Sequence, residues 1–196
     1  MDEATRATIE RLSSEAEISR LLHLYCHAAD TVDRAAFRSV FHADSTHDHA
    51  GIFKGLSRDF CDFALGVFEA DVPVTQHHLS NILIELDGDR ARSSCYFLAY
   101  HLVPASMSAE VMTGHRRGRD EVYWVGGRYL DRLERRRGVW KIAHRTAVHD
   151  WAQWDDVRDG GYRRPARLRG ASIFFPLEHS LTHNEPGSVQ LGERMK

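Results

Sequence analysis

The chain's 196 residues carry 26 lysines and arginines against 28 aspartates and glutamates, a formal charge of −2, and 42% hydrophobic residues. This is the make-up of one globular domain with a sizeable core and room for a tail. An isoelectric point near 6.7 argues against nucleic acid as a partner, because neutralising phosphates calls for a basic face. The opening MDEATRATIERLSS has no basic segment followed by an apolar one, and no apolar run of about 18 residues occurs anywhere, so the expectation is a cytoplasmic protein with no membrane partner.

Residues 5 to 29 place Ile9, Leu12, Ile18, Leu21, Leu22 and Tyr25 at helical spacing opposite a charged face, which predicts a first amphipathic helix. Asp33 then reads as the N-cap of a short second helix through Phe41, and Ser57 as the N-cap of a third helix carrying Phe60, Phe63, Ala64 and Val67. The period changes after that. Residues 77 to 86, 90 to 103, 122 to 134 and 139 to 150 read as strands, with Leu86-Asp87-Gly88-Asp89 and Arg136-Arg137-Gly138 as turns. Helices followed by a meander predict an α+β cone in which a strongly curved mixed sheet wraps over the helices and leaves a pocket.

Residues 104 to 121 read as a loop that covers the pocket or sits at an interface. The basic cluster Arg132, Arg135, Arg136 and Arg137, broken by Asp131 and Glu134, reads as a solvated hairpin turn. Residues 1–158 form the expected domain. Residues 159–196 are a C-terminal extension whose Ile173-Phe174-Phe175-Pro176-Leu177 is expected to dock on the body or on a neighbouring subunit.

Cys26, Cys61 and Cys95 are an odd number with no CxxC spacing, so buried free thiols are expected, with Cys95 mid-strand and able to face a cavity. Among the thirteen histidines, His47 and His49 share one face of an extended segment. No third ligand follows at diagnostic spacing and Asp48 points the other way, so the expectation is no metal, the pair being solvent-exposed or structural.

The most informative stretch is Thr75-Gln76-His77-His78 at the mouth of a strand. Imidazole transfers protons near neutral pH, and an orienting carboxylate makes it a base. The first helix ends on Asp30 just before Asp33; because Asp33 already supplies the cap, Asp30 is available for a pocket, although either acid could serve. Strand alternation sends His77 and His78 to opposite faces, so only one enters the pocket.

Tyr25-Cys26-His27-Ala28-Ala29-Asp30 with Phe41-His42-Ala43-Asp44, the His77-His78 stretch, and Gly126-Gly127-Arg128-Tyr129 followed by Gly138-Val139-Trp140-Lys141 together resemble the SnoaL-like branch of the nuclear transport factor 2-like superfamily over roughly residues 10 to 155. Within it the chain looks closest to the group of scytalone dehydratase, hexachlorocyclohexane dehydrochlorinase and bile acid dehydratase. That resemblance places an Asp-His dyad on Asp30 and His77, with His78 left to the surface, and adds Tyr25 and Arg145 as catalytic neighbours. Tyr25 also stands where the dehydrochlorinase carries a lysine.

On the residues alone, Tyr25 is either core or pocket, its hydroxyl needing a partner if buried. Arg145 is either a cavity lining on the face of Ala143, Ala147 and His149, opposite Trp140, Ile142 and Val148, or a surface arginine paired with an acid. Tyr96, His101, Tyr129, His149 and Trp151 are the further candidates for substrate contact. The resemblance implies a cofactor-free lyase or isomerase acting on a hydrophobic cyclic small molecule and working as a homo-oligomer, a dimer or trimer. The alternatives are a binding protein without turnover, or an accessory subunit resembling the small subunit of aromatic-ring dioxygenases.

Overall fold

The computed structural model describes residues 1–70, 72, 74–107, 114–116 and 118–157. The apolar segment at 173–177 and the rest of the C-terminal extension lie outside them. Helix α1 spans Glu3–Thr31, opened by Asp2, whose carboxylate accepts from Thr5 N–H at 2.7 Å, and closed by Val32 in the left-handed region at φ 57°. Its buried face begins at Ser14 and continues through Ile18, Leu22, Tyr25 and Cys26. Ile9 and Leu12 are about half exposed instead. A 29-residue helix is about 43 Å long, so its first turns outrun the body.

Asp33 caps α2 (Arg34–Ser39), accepting from Ala36 N–H at 3.0 Å. Two strands absent from the sequence reading follow, β1 (Phe41–His49) and β2 (Phe53–Leu56). Helix α3 is Ser57–Ala70; Ser57, expected as its cap, is already helical and its buried hydroxyl has no hydrogen-bond partner among the described residues. The remaining strands are β3 (Val74–Asp87), β4 (Arg90–Val103), β5 (Glu121–Arg136) and β6 (Val139–Asp156). The sheet runs β2-β1-β6-β5-β4-β3; β1 lies parallel to β6 and every other pairing is antiparallel. The result is an open α+β cone of helices against a six-stranded mixed sheet.

Three register shifts decide which side chains face the helices. In β3 the ladder to β4 skips between Ser80 and Leu83, around Asn81 at φ 52°, so Thr75, His77 and Leu79 share the inner face with Ile82 and Ile84. In β6 the ladder skips Ala143 and then Asp150. Each extra residue reverses the alternation beyond it. Trp140 and Ile142 are therefore buried on the same face as Arg145 and Ala147, correcting the expectation that they lie opposite. Trp151 is thrown to the outer face over Gly126, where a Cβ would meet its ring at 2.4 Å. Neighbouring Gly127 has no room either, since a Cβ there would stand 2.0 Å from the Val148 carbonyl oxygen.

The loop after β4 docks by its described part. His115 Nδ1–H and Arg116 N–H both donate to the buried Glu121 carboxylate, and the His115 ring stacks on Trp154. At the β5–β6 hairpin, Arg135 pairs with Asp89 and Arg136 with Asp44 and Glu134 in solvent. Asp131, expected with that solvated group, is buried.

Candidate active site

Asp30 stands in the last turn of α1, freed from capping because Asp33 performs it. Its carboxylate reaches β3, accepting from the His77 backbone N–H at 2.9 Å and from His77 Nδ1–H at 2.7 Å. Both side chains are largely covered, at 9% exposure for His77 and 19% for Asp30. A carboxylate on Nδ1 fixes the tautomer and leaves the Nε2 lone pair for another partner. His78 is exposed on the opposite face.

The His77 ring borders a cavity of about 110 Å³ between the inner sheet face and helices α1 and α3. Its wall is mostly aromatic, with Phe37, Phe60, Phe68 and Phe97 among its members, and the lining residues that carry polar side-chain atoms include Tyr25, Tyr129, His49, His101 and His149. Such a lining suits an apolar ligand oriented by a few polar contacts. His101 shares a hydrogen bond with Thr75 Oγ1 at 2.9 Å and lies between the rings of Phe68 and Tyr123. Burial, then the neighbouring His77, His149 and His49, push its pKa well below the ordinary value. Burial also lowers His149.

Arg145 occupies a different position from either expectation. It is fully buried beneath the cavity, donating from Nε and Nη2 to the two oxygens of Asp131 at 2.7 Å each. Its guanidinium carbon sits 4.1 Å from the Tyr25 ring centroid and 4.2 Å from that of Tyr129, a cation sandwiched between two π faces. Burial alone would lower its pKa, but the Asp131 carboxylate outweighs this and holds it well above the usual value. Tyr25 and Tyr129 line the cavity while Arg145 does not; it supports those rings from behind. Burial pushes the Tyr25 hydroxyl pKa up, partly offset by Arg145, so the phenol is protonated and available as a donor.

Two candidates fall elsewhere. Tyr96 is 49% exposed and Trp151 50%, both on the outer face, because Tyr96 alternates with the inward Cys95 and Phe97 and Trp151 follows the Asp150 bulge. The three cysteines are buried and free. Burial raises Cys61 to about 12 and Cys95 to about 11, which leaves them as thiols.

Sequence reasoning weighed His47 and His49 as chelators or as solvent-exposed or structural groups, without placing them at a cavity. Here His47 is buried, its ring stacked on Phe60 at 3.7 Å, and its Nε2 meets His49 Nδ1 at 3.2 Å. Among the described residues no cluster of three or more His, Cys, Asp or Glu could hold a metal ion. The signal for an inward pair was their two-residue spacing, legible only once β1 is known to be a strand beside β6.

A family model described as the SnoaL-like domain matches residues 10–146. The chain belongs to this family. No curated protein matches it. Solved structures give the SnoaL-like chain the fold of the nuclear transport factor 2-like superfamily. A hexachlorocyclohexane dehydrochlorinase, LinA type 2, aligns with TM-score 0.65 and 19% identity over 81% of this chain and 99% of its own. A protein from Novosphingobium aromaticivorans assigned as a scytalone dehydratase aligns with TM-score 0.61 and 23% identity over 80% and 99%. The β subunit of a protein from the same organism, assigned as an aromatic-ring-hydroxylating dioxygenase, aligns with TM-score 0.54 and 15% identity over 72% and 92%. No described helix is long and apolar enough to cross a membrane.

Proposed function

We propose that this SnoaL-like chain is a cofactor-free lyase, or an isomerase, that abstracts a proton from carbon in a hydrophobic cyclic small molecule. The observation that carries the reading is the 2.7 Å contact of Asp30 with His77 Nδ1 at the wall of an aromatic cavity. Asp30 holds the imidazole in the tautomer whose Nε2 accepts a proton, and stabilises the imidazolium that results. In an elimination, His77 takes the proton, the C–H electron pair becomes the new double bond, and the leaving group departs with its bonding pair. A hydroxide leaving group takes up the proton that His77 has accepted and leaves as water, which returns the imidazole to its neutral form. Tyr25, protonated and facing the cavity, donates a hydrogen bond to the departing or negatively charged oxygen. Arg145 acts through Tyr25 and Tyr129, as a positioning residue.

The dehydrochlorinase and dehydratase among the structural neighbours support a lyase. The dioxygenase subunit keeps the accessory reading in view, but that role gives no reason for a hydrogen-bonded base and orienter beside a cavity. Exposed Leu83, Tyr96 and Trp151 on the outer face support assembly as a homo-oligomer, a dimer or trimer, which light scattering measures directly.

The functional test incubates purified protein with hydroxylated steroids, polyketide-derived rings and halogenated cyclohexanes and follows ultraviolet absorbance for new conjugation. Turnover by the wild type and none by His77→Ala is the expected result. Equal turnover by both proteins removes the general-base reading, and co-purification with a larger iron protein instead favours the accessory subunit.

A further inference from the structure

Strand β1 carries an imidazole pair, His47 buried and His49 lining the cavity, that the proposed chemistry does not use. His47 and His49 share one N···N contact of 3.2 Å, so one proton lies between them. The other nitrogen of His47, Nδ1, is buried with no hydrogen-bond partner among the described residues. If His49 gave the shared proton, His47 Nδ1 would carry an N–H buried without an acceptor. If His47 gives it, Nδ1 is only a bare lone pair. Orphaned buried N–H groups are the rarer and costlier of the two. The favoured arrangement is therefore His47 Nε2–H donating to His49 Nδ1, which leaves the proton of His49 on Nε2. The stack of His47 and His49 on Phe60, at 3.7 and 4.9 Å, holds both rings in place.

We infer that His49 Nε2–H is a hydrogen-bond donor that anchors a carbonyl oxygen on the ring of the substrate, with His47 as the positioning residue that sets its tautomer. The inference deepens the reading above and rests on it for placing the substrate in this cavity. His49 borders the same cavity as His77 and has no Nε2 partner among the described residues. Burial, then His149, Arg145 and His77, lower its pKa to about 3, so near neutral pH it donates without carrying charge. A carbonyl is the matching acceptor because a C–H beside it is the kind of carbon acid an imidazole can deprotonate. When His77 takes that proton, the C–H pair forms a C=C bond and the carbonyl π pair moves onto oxygen, where a fixed donor stabilises it. A ring bearing only halogens offers His49 no such acceptor.

The decisive measurement needs no substrate. In wild-type protein with ¹⁵N-labelled histidine, His49 is expected to show an unprotonated Nδ1 and a protonated Nε2, and His47→Leu to give a mixture of tautomers. A His49 protonated on Nδ1 in the wild type overturns the inference, whatever the activity. The second arm uses 1-tetralone and its hydrocarbon counterpart tetralin as probes. Bound tetralone should show a carbonyl stretch lowered in the wild type, retained in His49→Gln and lost in His49→Phe, with Kd raised about tenfold in His49→Phe and the tetralin Kd changed less than twofold. The same tetralone frequency and Kd in wild type and His49→Phe overturn it. Failure of the general-base reading is separate: it would appear as undiminished turnover in His77→Ala, with both His49 readouts unchanged.

Discussion

Asp131 and Arg145 face each other directly across β5 and β6 and close a two-point ion pair with neither side chain exposed. Because the pair also underlies Tyr25 and Tyr129, it joins the sheet to the cavity floor. Removing one partner strands the other as an uncompensated buried charge.

Asp131→Ala is accordingly expected to lower stability by about 3–5 kcal/mol, whereas the double change Asp131→Leu with Arg145→Met loses far less. Urea unfolding of the three proteins checks this. A cost under about 1 kcal/mol in the single variant would mean that the guanidinium finds water or another acid.

His77→Ala and Asp30→Asn should each reduce turnover on the true substrate by on the order of a hundredfold or more. The double variant should be little worse than either alone, because the two side chains act as one unit. Thermal unfolding should still show one cooperative transition in each. Multiplicative losses in the double variant would show that the residues work independently.

Acid should destabilise the fold. Burial foremost depresses His47, His49 and His101 below the ordinary 6.5, His49 to about 3. The unfolded chain therefore binds protons that the folded one refuses. Stability is full above about pH 6.5 and falls as pH drops below it, with a slope of up to roughly 1.4 kcal/mol per pH unit for each such histidine. Urea midpoints between pH 8 and 5 measure the trend; a flat profile would contradict the buried neutral state of these rings.

Dialysis against EDTA should leave turnover unchanged, since the dyad supplies both base and orienter. Stoichiometric zinc or iron, with activity lost on chelation and restored on readdition, would replace general-base chemistry with Lewis-acid chemistry.

Much of the arrangement could be read before any coordinates because it depends on short-range rules. The freedom of Asp30 followed from Asp33 being the cap, and the opposed directions of His77 and His78 from strand alternation. Alternation failed at Ala143 and Asp150, where an extra residue in β6 turns the following side chains over, and so the surroundings of Arg145 and Trp151 were misread. No local pattern announces those bulges. Asp131 was hidden for a related reason: among arginines in a hairpin an acid looks solvated, and only its cross-strand partner makes it buried. The pairing of β1 with β6 is equally remote from local sequence, which kept His49 out of the cavity until the strands were placed.

That same parallel pairing sets a timetable for the chain. Thr46 meets His144 across 98 residues, and among the described strands β1 pairs only with β2 and β6. During synthesis from the N-terminus, β1 can pair with β2 early, but its other edge, the one that receives β6, stays unpaired until nearly the whole domain has emerged. Contacts this distant in sequence slow folding and leave apolar surface uncovered in the interval. A nascent chain arrested before Val139 would lack both Arg145 and the strand that β1 docks against, so it would keep the Asp30 and His77 segments while having no finished floor to the cavity.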